Sequence, residues 1–251
     1  MDPRPGLGRA ASVERRVRRV VPIVALDVSD EASARGIVDA LGDLCRFYKV
    51  GPELFATTGP AIVWALTERG CRVFLDLKFY DIPNTVRGGC RSAARAGAHL
   101  VTVHATGGVD MMRAAVEGAR EGGAACEVLA VTVLTSFDSA RLAAAWARPQ
   151  IDISTEVLRL TGVAREAGAA GVVCGGAEVS RVREAYGESL SILVPGVRLR
   201  GSAVDDQQRV TTASDAAASG ATYIVLGRTV TQASDVRAAM QRVQEELASA
   251  S

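Results

Sequence analysis

Eight short, continuous and largely apolar runs recur along this chain, at residues 22–26, 47–50, 73–77, 100–103, 128–134, 171–174, 192–194 and 223–226. A strand covered on one face alternates apolar and polar residues, whereas a strand covered on both faces reads as a continuous apolar run. Between the runs lie Ala-, Arg- and Glu-rich stretches with helical spacing, at 31–41 (Ala34, Ile37, Val38, Leu41), 60–69 (Ile62, Val63, Leu66) and 235–248 (Val236, Met240, Val243, Leu247). Gly70, Gly97, Gly168 and Gly220 each close a helical stretch ahead of a strand, where a helix C-cap belongs. Eight strand-then-helix repeats predict an α/β chain folded as a (β/α)₈ TIM barrel, a single domain over residues 21–251. The competing open, doubly wound sheet wants Gly-x-Gly-x-x-Gly after its first strand, and Asp27-Val28-Ser29-Asp30 stands there instead. Residues 137–157 read as a helical excursion after the fifth strand.

The chain has 251 residues, 48% of them hydrophobic, enough for a full core. A net charge of +1 and 4% aromatics argue against a nucleic-acid binder, a membrane-surface binder or a base-stacking platform. Five cysteines, an odd number without a C-x-x-C pair, fit reduced thiols in a cytoplasmic protein better than a disulfide framework or a zinc site. No apolar stretch approaches the roughly 18 residues of a membrane span. Residues 1–20 crowd Arg4, Arg9, Arg15, Arg16, Arg18 and Arg19 together and read as a solvated tail ending in a short helix. The apolar region before Asp27 is too short for a secretory signal.

The polar residues concentrate at strand ends, where such barrels carry their chemistry. Asp27 follows the first run, Lys49 lies near the end of the second, Asp76 and Lys78 end the third, and His104 follows the fourth. Thr135 and Ser136 follow the fifth, Arg198 the seventh, and Gly227 with Arg228 the eighth. Asp76 and Lys78 are two apart on an extended run, so both face one space, with Phe74 behind them. Asp81 opens the following loop, and Pro83 ends strand pairing. Charges leaving a buried strand are normally paired and usually have a task. Lys49, between Phe47, Tyr48 and Val50, needs an anion, which Asp76 on the adjacent strand can supply. Plain structural roles stand beside these. His104 also fits a hydrogen-bonded barrel interior, Asp27 a helix cap, and Thr135 and Ser136 a turn. Arg198 and Arg228, with backbone N–H groups and a polar loop at 199–209 of lid-like length, suit a phosphate dianion.

The run Asp76-Leu77-Lys78-Phe79-Tyr80-Asp81-Ile82-Pro83-Asn84-Thr85 closely resembles the signature of the orotidine 5′-phosphate decarboxylases. Lys49-Val50-Gly51, Val103-His104-Ala105, Thr132-Val133-Leu134-Thr135-Ser136, Val194-Pro195-Gly196-Val197-Arg198, Asp206-Gln207 and Gly227-Arg228 extend the resemblance in order, from about Pro22 to the last helix. It is nearest the bacterial, single-function form. The resemblance implies conversion of orotidine 5′-monophosphate to uridine 5′-monophosphate and CO₂, without metal or organic cofactor. It implies that Lys78 protonates the ring carbon that loses CO₂ and that Asp76 lies near the departing carboxylate. It further implies that Lys49 and Asp27 hold ribose hydroxyls, and that Thr135 or Ser136 meets the pyrimidine. Arg198, Gln207, Arg228 and the Gly227 N–H would hold the 5′-phosphate. Asp81 and Thr85 would reach into the partner's site of a homodimer. Two rivals stand. One is the magnesium-dependent 3-keto-L-gulonate 6-phosphate decarboxylases and hexulose-phosphate synthases, which resemble this chain in Asp-x-Lys-x-x-Asp. The other is a non-catalytic nucleotide-binding barrel. The continuation Ile82-Pro83-Asn84-Thr85 and the Gln207 loop argue against the first, and the intact charge row against the second.

Overall fold

The apolar runs become strands, and each following stretch becomes one or more helices that pack back on the sheet. In the computed structural model, which describes residues 20–123, 125–199 and 211–250, the strands are β1 Val21–Leu26, β2 Phe47–Val50, β3 Arg72–Phe79, β4 Leu100–His104, β5 Glu127–Val131, β6 Gly171–Val173, β7 Ser191–Val194 and β8 Tyr223–Leu226. All pair in parallel with their sequence neighbours, and β8 pairs with β1, with Val21 opposite Tyr223, to close the barrel. The expected TIM barrel is the fold. The expected Arg-rich tail and Gln207 lie outside the described residues.

Two expected elements differ. β5 ends at Val131 rather than Leu134, because Thr132 turns to bond the carbonyl of Val173 through both its N–H and its hydroxyl. The excursion after it is two pieces: a short helix Ser139–Ala145, then the start of the long helix Ile153–Glu166 that leads to β6. Asp30, Asp138, Asp152 and Asp235 each accept a backbone N–H three residues on, and so cap four of the helices.

Side chains pointing into the barrel are Ile23, Ala25, Phe47, Phe74, Leu100, Leu129, Val131, Val173, Leu193 and Val225. A second, larger apolar layer lies between strands and helices. Burying each large side chain stabilises by roughly 1.5–3 kcal/mol. On each of the first four strands the inward stripe continues further. After Ala25 it reaches Asp27, after Phe47 Lys49, after Phe74 Asp76, and after Leu100 Thr102 and His104. The period of two thus carries an apolar plug into a polar rim.

The helices Pro83–Arg95 and Gly108–Gly122 touch backbone to backbone. A Cβ on Gly118 would fall 2.1 Å from the carbonyl oxygen of Arg87, and one on Gly122 would fall 2.3 Å from that of Arg91. Only glycine permits this approach. The same face carries Glu121, which accepts from Arg87 and Arg91. This contact fixes the helix that opens directly after Asp81 and Ile82.

Candidate active site

At the C-terminal end of the barrel four charges alternate along three neighbouring strands. The Lys49 Nζ donates to Asp27 Oδ1 at 2.6 Å and lies 3.9 Å from Asp76 Oδ2. The Lys78 Nζ donates to both oxygens of Asp76, at 2.9 Å each. Asp27 is thus the nearer partner of Lys49, and the row runs Asp27–Lys49–Asp76–Lys78. Asp27 does not cap the next helix; Asp30 does. Lys49 and Asp76 are only 9% and 8% exposed, so each depends on the other charges in place of water. Gly51 leaves room for the first pair: a Cβ there would meet the Lys49 Nζ at 3.1 Å and Asp27 Oδ1 at 3.2 Å.

Lys78 does not follow regular strand geometry. Its φ is +50°, in the left-handed region, a conformation that costs a residue with a Cβ roughly 1–2 kcal/mol. Thr102, which the sequence reading passed over, sits under this irregularity. Its hydroxyl accepts the Lys78 backbone N–H at 3.0 Å and donates to Asp76 Oδ1 at 2.8 Å. Counting back by two from His104 along β4 would have found it. His104 lies half-buried with its ring 5.7 Å from that of Tyr80, edge to face. Burial, and next the Lys78 charge, hold its pKa below the usual 6.5, partly offset by Asp76, so the imidazole is neutral at pH 7.

The row forms one wall of a cavity of about 190 Å³. Lys49, Asp76 and Lys78 line one side; Val131, Val133, Val173, Leu193, Pro195 and Val225 line the other, with Thr135 at the rim. Ser136 is exposed and does not line this cavity. Three larger hollows lie outside it. The first, of about 330 Å³, lies beside Tyr80, His104 and Trp146. A second, of about 470 Å³, runs outside β3 beside Trp64 and Phe79, and a third, of about 300 Å³, opens at the far end of the barrel beside Arg46 and Arg72. None of the three linings brings opposite charges together, so the smaller cavity is the one equipped for chemistry.

The remaining candidates divide into two groups. Arg198 is buried and donates to the hydroxyl of Thr229 at 3.3 Å, which ties the end of β7 to the short helix Arg228–Thr231 that Gly227 caps. Arg228 itself is exposed at the start of that helix. Asp81 and Thr85 form no ion pair with the row. Both are exposed, and Asp81 accepts the N–H of Ile82 at 2.6 Å. Among the described residues Lys78 has only Asp76 as an ion-pair partner, so these residues do not by themselves set Lys78 between two carboxylates. Tyr80 and Ile82 beside them are 62% and 67% exposed. No described helix is long and apolar enough to cross a membrane, and no described cluster of three or more His, Cys, Asp and Glu could hold a metal ion.

Comparison with known proteins adds to this geometry. Residues 21–243 match the profile of the "Orotidine 5'-phosphate decarboxylase / HUMPS family". An orotidine 5′-phosphate decarboxylase of Alkalilimnicola ehrlichii is 47% identical over 90% of this chain and 95% of its own length. That of Moorella thermoacetica is 44% identical over 90% and 91%. The crystal structure of the orotidine 5′-phosphate decarboxylase from Lactobacillus acidophilus superposes with a TM-score of 0.81 at 36% identity, covering 91% of this chain and 99% of that one.

Proposed function

The chain belongs to the orotidine 5′-phosphate decarboxylase / HUMPS family, and from that kinship we infer that it decarboxylates orotidine 5′-monophosphate to uridine 5′-monophosphate and CO₂ in pyrimidine biosynthesis. The observation that carries this reading is the buried row of alternating charge against an apolar wall.

The chemistry follows from what the reaction lacks. Breaking the bond between C6 and its carboxylate sends off CO₂ and leaves the electron pair on C6, where ring resonance helps little. A fixed positive charge at that carbon, in a site poor in water, lowers the barrier because its dipoles need no reorganisation. The Lys78 ammonium supplies the charge and then the proton. An N–H bond breaks, a C6–H bond forms, and the neutral amine regains its proton from solvent. Asp76 faces the departing carboxylate and holds Lys78 by both oxygens. Lys49 and Asp27 take the ribose hydroxyls, and Thr135 meets the pyrimidine edge at the rim, with Ser136 beyond it. Arg198, Arg228, Gln207 and the Gly227 N–H take the 5′-phosphate; guanidinium pairs suit a dianion. Binding energy gained at the phosphate, far from C6, serves the chemical step when it orders the row.

The active unit is a homodimer in which Asp81 and Thr85 complete the partner's site. The exposure of Asp81, Thr85, Tyr80 and Ile82 supports this, as does the single carboxylate that the described residues of one chain offer Lys78. Mixing inactive Asp81→Asn and Lys78→Ala chains should then restore activity through hybrid dimers with one intact site; no recovery on mixing would sink the shared site. We assign the enzyme to the cytoplasm, since its five cysteines are free thiols, four of them buried. Incubation with orotidine 5′-monophosphate in excess chelator tests the function. Loss of the orotate-type ultraviolet absorbance at an undiminished rate is expected. A chelator-sensitive reaction would point to the magnesium-dependent relatives, and no reaction would point to a binding protein.

A further inference from the structure

β3 and β4 lose register where the chemistry sits. Leu75 stands opposite Val101 and Phe79 opposite Val103, so Asp76, Leu77 and Lys78 together face Thr102 alone. A backbone amide can only donate, and a hydroxyl has a single proton. The Thr102 oxygen therefore receives the Lys78 N–H, and its own proton goes to Asp76. One side chain thus holds both the left-handed backbone that carries Lys78 and the carboxylate that grips its ammonium. Strained backbone persists only where its surroundings over-determine it, and this hydroxyl is the acceptor to which the displaced N–H donates. Thr102 has no exposed surface and does not line the cavity, so it acts from beneath the row without touching a ligand.

We propose that Thr102 is a positioning residue for proton delivery: its hydroxyl sets the height and direction of the Lys78 ammonium by fixing Lys78 and Asp76 to each other. This deepens the decarboxylase reading and rests on it.

Thr102→Val keeps the shape and removes the hydroxyl; Thr102→Ser keeps the hydroxyl. Misplacing a reacting group by about 1 Å costs roughly 100-fold, so Thr102→Val should lose about that factor in kcat while KM and uridine 5′-monophosphate binding change by less than about threefold. Thr102→Ser should return to within about fivefold of the parent kcat. If Thr102→Val does not fold, by circular dichroism, Thr102→Cys replaces it, and its weak thiol should leave it well below Thr102→Ser. The proposal is overturned if the variant lacking the hydroxyl keeps the parent kcat, if its loss lies in KM, or if Thr102→Ser is as slow as its replacement. The unaltered enzyme is assayed alongside. If that enzyme is inert towards orotidine 5′-monophosphate, the decarboxylase reading fails first. If it is active and Thr102→Val matches it, only the role of Thr102 fails.

Discussion

The two halves of this barrel have the same backbone and opposite rims. On the first four strands the inward stripe ends in Asp27, Lys49, Asp76 with Lys78, and Thr102 with His104. On the last four it ends in Val131, Val173, Leu193 with Pro195, and Val225. Both halves start from the same apolar plug. The difference shows how the site divides its work. On the proposed reading the charged half performs the chemistry, and the apolar half makes it effective, because charges act more strongly on each other and on substrate where water is excluded. Arg198 and Arg228 follow the apolar strands β7 and β8, where the proposed phosphate contacts would place no further cation beside C6.

This contrast can be broken at several points. Arg228→Ala should raise KM for orotidine 5′-monophosphate about 10- to 100-fold, the scale of a hydrogen bond to a charged group, and leave binding of unphosphorylated orotidine unchanged. Equal loss for both ligands, measured by inhibition, would move Arg228 out of the phosphate role. Val173→Thr nearly preserves volume but places a hydroxyl in the dry wall. Desolvating that group when a ligand covers the wall costs roughly 1 kcal/mol, so kcat/KM should fall about fivefold, with folding intact. No change would show that the wall only fills space.

His104 supplies the smallest effect, in stability rather than rate. Its folded pKa lies below the ordinary 6.5, so the unfolded chain binds protons that the folded one refuses. Stability is therefore held above pH 6.5 and falls as pH drops from 6.5 through the folded value. Urea midpoints across that window should fall more steeply for the parent than for His104→Gln. Parallel slopes would mean that His104 does not titrate against the row.

Much of this was legible in the sequence, for reasons that also explain what was not. Continuous apolar runs identify two-sided strands, and a lysine within such a run, like Lys49, announces its need for an anion. The end of β5 was misread because Val133 and Leu134 keep the run apolar after the backbone has turned away at Thr132. The displaced register of β3 carries no glycine or proline to mark it, since the left-handed residue is Lys78 itself. Thr102 was passed over because threonine is common in strands, and its two bonds exist only once that register has shifted. Asp27 as the closer partner of Lys49 depended on the pairing of β1 with β2, with Ala25 opposite Lys49.

The central claim is that one ammonium, at residue 78, neutralises and then protonates the carbon that CO₂ leaves. The most direct measurement is turnover of orotidine 5′-monophosphate by Lys78→Ala, alone and with added methylammonium, with uridine 5′-monophosphate binding followed in parallel. The account predicts a loss of about 10⁴-fold or more, retained nucleotide binding, and partial recovery with methylammonium but not with tetramethylammonium, which has no proton to give. Turnover by Lys78→Ala within tenfold of the parent, or equal recovery with both cations, would contradict it.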